Sequence, residues 1–176
     1  AVSFGNGIKR AEHATSLICG MYPDIVGIQE RQTIIKTEIT DVLKKSGYSV
    51  VDEYRTDTTS SGILSCTPIF YNPQKFELVE NSSSNGNLAH GTFVFANSYQ
   101  TTNQTISKTK IYTKSLSWAV LKNKASGQLV LAMNTHFAVH TDSYTNYTSK
   151  DAVRDRAKNA EQTLAKMSQV FAKFGN

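Results

Sequence analysis

The chain has 176 residues, 39% apolar, 10% aromatic and 19% charged, and a formal charge of +5. This suits one globular domain over 1–176, and no apolar run approaches the roughly 20 residues that a membrane-spanning helix needs, so no transmembrane segment is predicted. The basic excess is modest and holds no run of five like charges, so charge alone does not argue a nucleic-acid partner.

The N-terminal stretch AVSFGNGIKR lacks the apolar run of a secretory leader. Residues 10–22 then read as a helix, with Ala14, Leu17, Ile18 and Met21 at helical spacing. Pro23 and Asp24 end it, and the run to Glu30 is rich in β-branched residues, as in a buried strand. A second helix is expected over 32–46, with Ile35, Ile39, Val42 and Leu43 as its stripe and Gly47 just past its end. Strands are predicted at 48–54, 63–71 and 76–80, the last two joined at Asn72-Pro73. The segment 81–115, rich in Ser, Thr and Asn, reads as a long loop with at most one short strand. Strands at 116–121 and 129–134 flank a turn containing Gly127. A final amphipathic helix spans 151–174, with Val153, Ala157, Ala160, Leu164, Met167 and Phe171 along one side.

The two cysteines, Cys19 and Cys66, sit in apolar stretches without zinc spacing and read as small hydrophobes rather than a disulfide. Three Asn-x-Ser/Thr sequons, at Asn81, Asn103 and Asn146, arise readily by chance in this composition and tilt localisation only slightly towards an extracytoplasmic site.

Two residues carry the chemistry. Glu30 directly follows one apolar strand and His136 directly follows another. Strand C-termini in layered α/β proteins are where side chains converge on ligands. A carboxylate there can hold magnesium through oxygen, and an imidazole can serve as acid, base or hydrogen-bond donor near neutral pH. Position alone also suits blander roles, a helix-start charge for Glu30 and a structural hydrogen bond for His136.

The words around these residues sharpen the reading. PDIVGIQE at 23–30, TPIFYNPQKFELVE at 67–80, SWAVLKNKASGQ at 117–128, LVLAMNTHF at 129–137 and RAKNA at 156–160 occur in that order. Together they resemble the signatures of the endonuclease/exonuclease/phosphatase superfamily over nearly the whole chain. The resemblance implies an α/β fold, part of a four-layer αββα sandwich of mostly antiparallel or mixed sheets with flanking helices. It implies Glu30 as a ligand of Mg2+ (or Mn2+), His136 as the active-site histidine on the scissile phosphate, and Asn134 as its hydrogen-bonding support. Arg31 stands where some nuclease members contact phosphate, although an exposed surface role suits it better. The substrate would be a phosphate ester: nucleic acid, a phospholipid headgroup or a sugar phosphate. Loop tyrosines Tyr99, Tyr112, Tyr144 and Tyr147 are candidates for stacking on it.

The sequence also departs from that pattern. A first strand ending in Asn is not evident, Asn6 being a poor substitute, and Ser65 stands where many members have a second glutamate. The GDFN word that positions water and the terminal Asp-His pair do not occur. The expectation is therefore a partial domain with the C-terminal half missing, inactive alone, whose natural partner is that missing part. The alternative is a non-catalytic binding module on the same sandwich. A generic polyanion-binding α/β domain would explain none of the ordered words.

Overall fold

One short strand shows how the layers are built. The computed structural model describes residues 7–29, 37–51, 62–64, 67–80, 88–95, 99–103, 108–137 and 149–175. Within it, strand β4 (Ile69–Tyr71) is buried along its whole length. Ile69 and Tyr71 join Val51, Phe76, Ala119 and Leu121 in one core, whereas Phe70 joins Ala11, Ile39, Leu43 and Tyr48 in another. Successive side chains of a strand point to opposite faces, so β4 has packed material on both sides.

The first face meets a second sheet and the other meets helices. β4 lies between β1 (Ile25–Gly27) and β2 (Ser49–Val51), both antiparallel to it. Helix α1 (Gly7–Met21), a π-helical turn Thr37–Asp41 and the short α2 (Val42–Lys45) cover that sheet through Ala11, Ile39 and Leu43. The second sheet has the order β10 (Leu129–Thr135), β9 (Ser115–Asn123), β5 (Phe76–Leu78), and β6 (His90–Val94) also pairs with β9. Along β9, Ala119 and Leu121 face the first sheet, while Trp118 and Val120 pack with Val170 of helix α3 (Ser149–Phe174). The layers are helix, sheet, sheet, helix, as the sequence led us to expect. A third sheet, β3 (Gly62–Leu64), β8 (Lys108–Thr113) and β7 (Tyr99–Asn103), pairs β3 parallel and β7 antiparallel to β8.

Several sequence-based expectations are corrected. On α1 the buried face is Ala11 and Thr15, with Ile18 and Cys19 beside it, while Leu17 and Met21 are 66% and 78% exposed. Thr15 tolerates burial because its hydroxyl donates back to the Ala11 carbonyl at 2.9 Å. Two small residues there let α1 approach Leu43 and Phe70 closely. Val42, expected on the inner stripe of its helix, is exposed, although Gly47 does end that helix with φ +96°.

The expected strand 24–30 forms ladder pairs only over Ile25–Gly27 and is half-buried. The turn at Asn72-Pro73 does not close a hairpin. It carries the chain from β4 in one sheet to β5 in the other. The Asn72 carbonyl accepts from the N–H groups of Lys75 (3.2 Å) and Phe76 (3.0 Å), and its side-chain oxygen accepts from Gln74 N–H at 2.9 Å. The segment expected to be a loop holds β6, β7 and β8. Thr, Tyr and Ile fit a pleated surface well, which the polar composition of the segment masks. Tyr99 and Tyr112 are accordingly register partners in paired strands rather than loop residues.

Helix α3 is rotated from its expected orientation. Ala152, Asp155, Asn159 and Val170 are buried, and Val153, Leu164 and Phe171 are each more than half exposed. Both stripes recur at helical spacing, and the buried one contains polar groups that find partners. Asp155 accepts from Arg154 Nε at 3.1 Å, and the Lys166 ammonium lies 4.4 Å from the Trp118 ring centroid. Burial holds Lys166 below the ordinary lysine range. Cys19 is a free, half-buried thiol, with Sγ 3.1 Å from Ser46 Oγ. Cys66 lies outside the described residues.

Candidate active site at the sheet ends

The site is built outward from β10. Its seven residues are in continuous antiparallel register with β9, from Leu129 opposite Lys122 to Thr135 opposite Leu116. Ala132 packs into the core between the two sheets. By the two-residue period of a strand, Asn134 and then His136 follow on that face, at the end where the ladder stops.

Asn134 is buried and joins three segments. Its Nδ2 donates to the carbonyls of Ile28 and Pro68, both at 2.9 Å, and its Oδ1 accepts from Gln29 Nε2. Close approach of the first sheet requires Gly27. A Cβ built there would lie 2.9 Å from Asn134 Cγ, closer than packed carbons tolerate. The glycine of the PDIVGIQE word and the asparagine of the NTH word are therefore mated across the sandwich.

Further ties fix the approach to this junction. Ile28 N–H donates to Pro68 O at 3.2 Å. The hydroxyls of Thr67 and Ser117 are 2.9 Å apart, and Thr67 also lies 3.2 Å from Ser115 Oγ. At the start of β1, Tyr48 donates its hydroxyl to Pro23 O at 2.7 Å. Burial, aided by the neighbouring Tyr22, Cys19 and Asp24, raises this phenol above the ordinary tyrosine value, so it remains a donor across the physiological range.

His136 is half-buried. Its backbone N–H donates to Ser115 O at 3.3 Å, and Thr135 Oγ1 donates to the same carbonyl at 3.1 Å. Lys114 Nζ lies 3.2 Å from Nε2 and 3.3 Å from Nδ1 of the imidazole. Gln29, Thr135, His136 and Phe137 line an open depression of about 640 Å3. Phe137 is steadied by an edge-on contact with Phe95, their centroids 5.8 Å apart.

Of the residues singled out from sequence, Asn134 and His136 thus come together at one end of the sandwich. Glu30, Arg31 and Ser65 lie outside the described residues, as do Tyr144 and Tyr147. Gln29, covalently joined to Glu30, lines the same depression as His136. Among the described residues no group of three or more His, Cys, Asp and Glu side chains is placed to hold a metal ion. Three participants escaped the sequence reading. Gly27 and Gln29 lay inside a recognised word, where the strand pattern hid their individual roles. Lys114 precedes β9 without any local signal, and its ammonium reaches the His136 ring just past the end of the β9–β10 ladder.

No protein-family model and no curated protein sequence matches the chain. Solved structures do. An endonuclease/exonuclease/phosphatase of Bacteroides vulgatus aligns with 94% of this chain at TM-score 0.57 and 22% identity. A family protein of Bacteroides thetaiotaomicron aligns with 94% of it at 0.59 and 22%, and a mannosyl-6-phosphatase of the same organism with 94% at 0.59 and 21%. The aligned portions cover 53%, 49% and 52% of those structures, so the chain spans about half their length. The chain has the endonuclease/exonuclease/phosphatase fold.

Proposed function

We propose that this chain, on the endonuclease/exonuclease/phosphatase fold, is part of a metal-dependent phosphoesterase that uses Glu30 and His136. The observation that carries this reading is the cross-sheet junction. Gly27 and Asn134 mate, Gln29 bonds to Asn134, and Gln29 and His136 line one depression. Residues of two words distant in sequence, Gln29 and His136, thereby line one concavity, as a site for a phosphoryl group requires.

Roles follow from chemistry. Glu30 would hold Mg2+ or Mn2+, with the oxygen-bearing side chains of Gln29 and Thr135 nearby as hard donors of the type such ions prefer. The ion, when bound, supplies positive charge to the non-bridging phosphoryl oxygens. His136 donates a hydrogen bond to the same group as negative charge builds on it. Asn134 touches no substrate in this scheme. It positions the strand end that leads into Glu30.

The residues that orient attacking water in the resembled family, in the GDFN word, do not occur in this sequence. Activity is accordingly assigned to a complete polypeptide that supplies them, with this chain alone inactive or nearly so. A sugar phosphate heads the substrate panel, because one protein of this fold is a mannosyl-6-phosphatase. Nucleic acid and phospholipid headgroups follow. The test is ester hydrolysis by the complete polypeptide with Mg2+, with a chelator, and with His136→Ala. Metal-dependent turnover that His136→Ala lowers by about 10²- to 10⁴-fold is expected. Turnover indifferent to both metal and His136, or none on any phosphate ester, would overturn the reading.

A further inference from the structure

Helix α3 has two patterned faces, and the sandwich uses one of them. Ala152, Asp155, Asn159 and Val170 are buried, Val170 in one core with Trp118 and Val120 of β9. The second face is Val153, Ala157, Ala160, Leu164, Met167 and Phe171. Its steps alternate four and three residues, the spacing of a helix that packs along another helix. Val153, Leu164 and Phe171 are 58%, 56% and 53% exposed. Ala157 and Ala160, small and central, leave room for a second backbone to come close.

The direction of this face limits what it fits. At about 100° per residue, its centre lies about 120° around the helix from the buried face. It therefore points sideways along the helix layer, tilted outward, rather than straight away from the sheet. A helix lying there would also reach the sheet beneath α3. Apolar surface waits on that sheet. By strand alternation Leu129 of β10 shares an outer face with Leu131 and Met133, which pack against the α3 core, yet Leu129 is 44% exposed.

We propose that this face of α3 seats a second helix of the same layer, supplied by the remainder of the complete polypeptide. This rests on the assignment of activity to a complete polypeptide and adds to it the surface on which the two parts join. The matched portions are 53%, 49% and 52% of the aligned structures, so the fold carries about as much chain again from which such a helix can come. A segment of the same domain suits a seam that continues an existing core better than a second copy does, because the occupant touches helix and sheet together.

The experiment is hydroxyl-radical footprinting of the wild-type complete polypeptide, with its sedimentation and its ester hydrolysis measured alongside. Leu164 and Leu17 are the same residue type and similarly exposed in this chain, at 56% and 66%. A seated helix should make Leu164 react at least about fivefold more slowly than Leu17, because packed interfaces exclude solvent. Such protection in a monomer supports the proposal. Equal modification of the two leucines overturns it. Protection that disappears on dilution to monomers places a second copy on the face and also overturns it. Hydrolysis together with equal modification removes only the seam, whereas a protected Leu164 without hydrolysis supports the seam and removes only the phosphoesterase reading.

Discussion

The two strand ends that meet at the depression are held in different ways. β10 reaches Thr135 through an unbroken seven-residue ladder with β9, and the backbone of His136 still bonds to Ser115 one residue later. β1 pairs over only three residues, and beyond Gly27 its last backbone tie among the described residues is Ile28 N–H to Pro68. From there the Asn134 side chain takes over, bonding Ile28, Pro68 and Gln29. The histidine end is set by a sheet. The end that leads into Glu30 is set by one side chain borrowed from the histidine strand. Coupling the two words in this way makes their relative placement insensitive to the shortness of β1.

The largest effect should come from removing that side chain. Asn134→Ala should destabilise the fold by about 2–4 kcal/mol in urea denaturation, because it deletes three buried or half-buried hydrogen bonds to two other segments. Thr135→Val, which loses one half-buried bond on the ladder side, should cost about 1 kcal/mol. Equal costs would show that the first strand does not depend on Asn134.

Gly27→Ala comes next, at about 1–3 kcal/mol, because the new methyl meets the Asn134 carboxamide. Its cost should shrink in an Asn134→Ala background, with a coupling of at least about 0.5 kcal/mol in a double-mutant cycle. Additive costs would place the strain elsewhere. The smallest effect belongs to the Lys75–Asp24 pair at the start of β1, 2.7 Å apart but 58% and 44% exposed. Lys75→Ala should cost at most about 1 kcal/mol, less at high salt. A larger loss would mean that β1 is anchored from its beginning rather than from Asn134.

Much of the architecture was legible in the sequence, for identifiable reasons. Strands β9 and β10 and their turn announced themselves through apolar runs around Gly127, which indeed adopts φ +73°. The NTH word and the Gln29 end of PDIVGIQE pointed to residues that line one depression, because strand ends carry short, strongly typed patterns. Helix orientation was less legible. On α1 and α3 two stripes compete at the same spacing, and hydrophobicity alone favours the wrong one. Thr15, Asp155 and Asn159 are buried with partners for their polar groups, Thr15 and Asp155 within their own helices, which a count of apolar residues does not register. Strands β6 to β8 were hidden by Thr- and Asn-rich composition. The proximity of Lys114 to His136 was invisible for a different reason, since it is a tertiary contact beyond the strand ladder and not a local pattern.

In the proposed function Glu30 and His136 serve one cation and one phosphoryl group. Paramagnetic Mn2+ tests it most directly, through the ring resonances of His136 in the complete polypeptide during titration. Mn2+ should broaden the His136 ring signals, and Glu30→Gln should move this broadening to higher metal concentration. His136 signals that stay sharp while Mn2+ binds, or a titration that Glu30→Gln leaves unchanged, would contradict it.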